Sequence, residues 1–140
     1  MRAVPILLAA AAAIACQPAS AAITKFQVEM TGAAEVPGPG ADKGMGEASL
    51  SFDTDKSQVC YMLHTMGTDT PTMAHVHKGA AGVAGGVVVA LTAPADGTAQ
   101  GCAPVPAEAM SDILAHPADY YVNVHSAAFP KGAIRGQLGK

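Results

Sequence analysis

Histidine is scarce in this 140-residue chain, with five in all. Two of them stand one residue apart in Met73-Ala74-His75-Val76-His77-Lys78-Gly79. On a β-strand, positions i and i+2 project from the same face. His75 and His77 therefore point one way and Val76 the other, which makes a natural two-nitrogen clamp for copper or zinc, metals that imidazole suits. His125, at the end of Tyr120-Tyr121-Val122-Asn123-Val124-His125, can approach as a third ligand from another strand. His64 and Met73 are candidates for a further ligand, and Asn123 or Glu35 for outer partners that orient the rings. The same three histidines have a plain structural use as well. Their ring N–H groups can bind loop carbonyls and lock the glycine-rich stretch that follows.

Other polar groups carry less chemistry. Arg135 can hold an anion near the histidines, or pair with Glu35 or Asp119 to tie down the last strand. No G-x-S-x-G or other nucleophile–base arrangement is present, and Asp53 and Asp55 flank a turn rather than forming a glycosidase pair. Asp53-x-Asp55 also lacks the rest of an EF-hand loop. The formal net charge is −3, and no basic run offers a nucleic-acid footprint.

The N-terminus reads as a leader. Met1-Arg2 precedes an apolar run from Val4 to Ala15, and Ala19-Ser20-Ala21 is an A-x-A cleavage signal. The run is too short for a membrane span. Residues 1–21 are expected to be removed, leaving one domain over 22–140 in the periplasm or outside the cell, with a protein partner there as one use for a small secreted domain. Cys16, after Ala15, offers lipid attachment as an alternative. Once the leader is gone, Cys60 and Cys102 remain. In an oxidising compartment they are expected to pair, in a loop of about 40 residues worth roughly 3–4 kcal/mol in the loop-entropy model. A thiolate metal site is the alternative.

The elements that must position these groups are short and alternating. Phe26, Val28 and Met30 share a face, as do Ala48, Leu50 and Phe52. Gln58–Thr65 follows the turn Thr54-Asp55-Lys56-Ser57 and completes a hairpin. Both its faces are fairly apolar, with Val59, Tyr61 and Leu63 on one and Cys60, Met62 and His64 on the other. Met73–His77 and a β-branched run, Val87–Leu91, flank the glycine-rich loop, and the run reads as buried on both faces. Thr92–Gly101 reads as a turn-rich link. Met110, Ile113 and Leu114, spaced i, i+3, i+4 before Pro117, give the one helical signal. Tyr120–His125 and Gly132–Leu138 are the closing strands, joined by the turn Phe129-Pro130-Lys131-Gly132. This pattern predicts an all-β fold, an antiparallel Greek-key β-sandwich of seven to eight strands with one short helix.

Four stretches in order resemble the CHRD (chordin-type) domain. They are Ala33-Ala34-Glu35-Val36-Pro37, Ala74-His75-Val76-His77-Lys78-Gly79-Ala80-Ala81-Gly82, Tyr120-Tyr121-Val122-Asn123-Val124-His125 and Phe129-Pro130-Lys131-Gly132-Ala133-Ile134-Arg135-Gly136-Gln137-Leu138. In animals such domains occur in extracellular antagonists of bone morphogenetic proteins, and bacteria carry secreted single-domain members, which this chain resembles. The likeness implies a secreted, non-enzymatic binding module. A second likeness concerns the site alone. His75-Val76-His77 resembles the His-Val-His of copper–zinc superoxide dismutases, also Greek-key β-sandwiches, which implies copper ligands at His75, His77 and His125. Only His116 lies between His77 and His125, so the bridging histidine and zinc ligands of a dismutase are missing. Copper alone is the implied alternative to a protein-binding role, with a dismutase-like enzyme as a third and more distant reading.

Overall fold

The computed structural model describes residues 22–139; the leader expected at 1–21, Cys16 included, lies outside them. The chain forms eight strands, β1 (Ile23–Thr31), β2 (Met45–Asp53), β3 (Gln58–Met66), β4 (Pro71–Lys78), β5 (Gly86–Leu91), β6 (Thr98–Pro104), β7 (Tyr120–Ser126) and β8 (Ile134–Gln137). One helix, α1 (Ala107–Ala115), lies between β6 and β7.

All pairings are antiparallel, in the order β5-β4-β7-β8-β1-β2-β3-β6. The ladder between β1 and β8 is a single residue pair, Thr31 with Arg135. That narrow hinge divides the sheet into two four-stranded halves that face each other as the layers of a sandwich. At the far edge β5 comes back against β6, so the sheet nearly closes on itself. The chain runs β4-β5-β6 and places β6 beside β3, the Greek-key arrangement.

Inward residues of both halves form one core, including Phe52, Leu63, Val76, Val122 and Ile134, all fully buried. Helix α1 adds Met110 and Ile113 to it. Burying these side chains removes each from water at about 1.5–3 kcal/mol. On β3 the inward face is Val59, Tyr61 and Leu63, which leaves Cys60, Met62 and His64 outside.

Two sequence expectations need correction. The stretch Thr92–Gly101 is not all link, because Thr98 onward forms β6 against β3. Its residues, Thr98-Ala99-Gln100-Gly101-Cys102-Ala103-Pro104, are small and weak strand formers. Strand pairing and the covalent bridge override that weakness: Cys60 and Cys102 are directly opposed and disulfide-bonded, with S–S 2.04 Å. The thiolate metal alternative is thereby removed. Second, β5 is not buried on both faces. It is the last strand of its half, with Val89 and Leu91 inward and Val87 56% exposed. A β-branched run records strand preference, and only the neighbours decide how many faces are covered. Among the described residues no helix is long and apolar enough to cross a membrane.

Candidate metal centre

β4 and β7 are neighbours, and their outer faces carry the histidines. On β4 the inward residues are Ala74 and Val76, which turns Met73, His75 and His77 outward. On β7 the inward residues are Tyr120, Val122 and Val124, which turns Tyr121, Asn123 and His125 to the same outer side. The register sets Met73 against His125, His75 against Asn123 and His77 against Tyr121. His125 is thus the diagonal neighbour of His75, and His77 is the next outward residue beside His75 on β4. Their nearest ligand atoms all lie within 4.8 Å of one another, and no other such group of three occurs among the described residues.

The outer face of β7 is not open to water. Tyr121, Asn123 and His125 are all buried, under the loop between β4 and β5 and the turn before β8. Two backbone carbonyls set the ring orientations. His77 Nδ1 lies 2.9 Å from the Gly85 carbonyl, and His125 Nδ1 lies 3.1 Å from that of Pro130. A carbonyl only accepts, so each Nδ1 carries the proton and each Nε2 is left with a lone pair. His125 Nε2 meets His75 Nδ1 at 3.1 Å. His77 Nε2 is buried and has no hydrogen-bond partner. A buried nitrogen without a partner costs about 1–3 kcal/mol.

Two bonds of about 2 Å to one ion set nitrogens some 3–3.5 Å apart in tetrahedral geometry. The His75–His125 pair already has that spacing. The widest pair, at 4.8 Å, must close by about 1.3–1.8 Å. Burial pushes all three imidazoles toward the neutral form, and the neighbouring rings push His75 further, from 6.5 to about 4. At His77 the Arg135 charge acts the same way, while the Gly85 carbonyl opposes it. Neutral imidazole is the ligating form, so the ligands need not shed protons at neutral pH.

A stack of side chains backs the centre. His77 lies parallel to Tyr121, ring centroids 4.8 Å apart, and the Arg135 guanidinium covers Tyr121 at 3.5 Å. Arg135 is 1% exposed. It donates to the carbonyls of Ala80 and Val83, each at 2.9 Å, and to Gln137 Oε1 at 2.8 Å. Gln137 in turn donates to the Gly79 carbonyl at 3.0 Å. Four loop carbonyls, those of residues 79, 80, 83 and 85, are therefore held by Gln137, Arg135 and His77.

Arg135 ties the last strand to the glycine-rich loop through backbone carbonyls. It forms no ion pair with Glu35 or Asp119 among the described residues, because the loop carbonyls take its donors. Glu35 and Asn123 do lie at the centre, each buried, with Glu35 Oε1 and Asn123 Oδ1 lacking partners. Asn123 stands between Glu35 and His77 and acts on the proton of each. His64 is not brought in: it sits on β3, opposite Glu47 and Thr98. Met73 shares the face and is 45% exposed. His116 caps α1 and binds Asp112 at 3.0 Å. Tyr121 and Gln137 are the supporting residues that sequence reasoning passed over. The alternation of the last two strands placed each beside His125 or Arg135.

Residues 26–138 match the family model of the CHRD domain, nearly the whole described chain. No curated protein and no solved structure matches it.

Proposed function

The chain belongs to the CHRD domain family, and on that premise we propose that it is an exported, non-enzymatic binding module whose ligand is one copper ion, held by His75, His77 and His125 for storage or delivery. What carries this reading is the cluster itself: His75, His77 and His125 each offer a ring nitrogen, all within 4.8 Å of one another, and the buried Nε2 of His77 has no hydrogen-bond partner. Buried side-chain polar atoms are ordinarily hydrogen-bonded. The donor set supports copper: three neutral imidazoles and no carboxylate suit it better than calcium or magnesium, and Met73 offers a thioether beside the trio. The disulfide supports an oxidising compartment.

Copper content of the purified protein, followed by Cu(II) and Cu(I) titration, tests the reading. One equivalent is expected, and His77→Ala should weaken it more than about 100-fold, beyond the 10–100-fold typical of outer partners. No copper bound at micromolar concentration, or unchanged affinity in His75→Ala/His77→Ala, overturns it.

A further inference from the structure

Methionine is ordinarily a buried residue. Of the methionines in the described residues, only Met30 and Met110 are buried, while Met45, Met62, Met66 and Met73 are 45–57% exposed. Three of these four share one face, well away from β4 and β7. β3 turns Met62, His64 and Met66 outward in succession. On β2, Met45 lies directly opposite Met66 and Glu47 directly opposite His64. Directly opposed residues hold their Cβ atoms about 5 Å apart, and the flexible methionine side chain closes such gaps readily. Met45, Glu47, His64 and Met66 line one groove.

This face does not resemble an apolar docking surface. The cross-strand partners of Met62 are Ser49 and Gln100, and those of His64 are Glu47 and Thr98. Met45 and Met66 meet across the ladder and share their groove with Glu29, Thr31, Glu47 and His64, and no exposed Leu or Phe joins them among the described residues. What they share with His64 is donor chemistry: neutral sulfur and an imidazole nitrogen, which favour soft cations over calcium or magnesium.

We propose that Met45, His64 and Met66, with Met62 alongside, form a second binding site for a soft monovalent cation of the Cu(I) or Ag(I) class. Met66 and Met45 supply sulfur across the ladder, His64 supplies nitrogen from the next outward position on β3, and Glu47 balances the charge. The site uses none of the residues of the histidine centre and does not require that centre to bind a metal.

Silver nitrate is the probe, since Ag(I) needs no reductant that would threaten the disulfide. In protein labelled with ¹³C at the methionine methyls, the Met45 and Met66 signals are expected to shift with saturation near one equivalent, and the buried Met110 signal to stay. Met45→Leu/Met66→Leu keeps the volume at exposed positions and should weaken Ag(I) binding at this face at least about tenfold. His75→Ala/His77→Ala should leave the Met45 and Met66 shifts intact. Static Met45 and Met66 signals, or shifts abolished by His75→Ala/His77→Ala, overturn the proposal, as does unchanged Ag(I) affinity in the leucine variant. Copper content of the leucine variant reports separately on the histidine centre.

Discussion

Arg135 shows how much a single side chain organises here. A fully buried guanidinium is costly unless its donors are met, and the Ala80 and Val83 carbonyls, Gln137 and the Tyr121 ring meet them without a carboxylate. Lysine has neither the fork nor the flat face. Arg135→Lys is expected to lower stability by about 2–4 kcal/mol, as loss of a buried charged network does, read as a lower urea midpoint. Glu35 gives a prediction in pH. Burial raises its carboxyl from 4.5 to about 7, against the pull of Val36 N–H, Arg135 and Asn123. The unfolded chain loses this proton first, so stability falls on its account as pH rises from about 4.5 to about 7. The buried histidines act oppositely. Their folded values are depressed, so stability falls as pH drops below 6.5, continuing toward the value near 4 of His75. Glu35→Gln removes only the first trend. Its unfolding free energy should rise more steeply than the wild type's between pH 4.5 and 7; equal slopes would show that Glu35 is ionised in the fold. The clamp itself was legible in the i, i+2 histidines. That His64 stays outside it was not, because both faces of β3 are apolar enough to turn inward.

At the scale of elements, the loop between β4 and β5 is what converts two strands into a site. Its Gly85 carbonyl orients His77, and Gly85 has no room for a side chain, since a Cβ would fall 1.5 Å from the Lys78 carbonyl. Gly85→Ala must displace this segment. Copper affinity at the proposed centre is expected to fall about 10–100-fold, as for other outer partners of a ligating histidine, measured by competition titration. The edge strand β5 offers a contrast. Val89 is 3% exposed and Val87 56%. Val89→Ala should cost about 1–3 kcal/mol of transfer and cavity energy, and Val87→Ala less than about 0.5 kcal/mol, both read by denaturant unfolding. The run Val87-Val88-Val89 predicted a strand correctly and its burial wrongly, because composition does not reveal which strand ends a sheet.

For the whole molecule, the hinge at Thr31–Arg135 and the bridge at Cys60–Cys102 hold the two halves and their far edge. Cys60→Ser/Cys102→Ser is expected to lose about 3–4 kcal/mol, the loop-entropy value for a span of this length, with β6 the segment whose amides exchange faster. The all-β class, seven of the eight strands, the helix and the family were legible along the chain, since alternation, turn residues and motif order are local signals. Tertiary structure decided the rest. β6 exists because β3 and a disulfide hold a weak segment extended. The histidines meet because register brings β7 beside β4, a contact between residues fifty positions apart. Arg135 faces carbonyls rather than Glu35 or Asp119 because the glycine loop folds over it. Each of these depends on which distant strands become neighbours, and no periodicity along the chain encodes that.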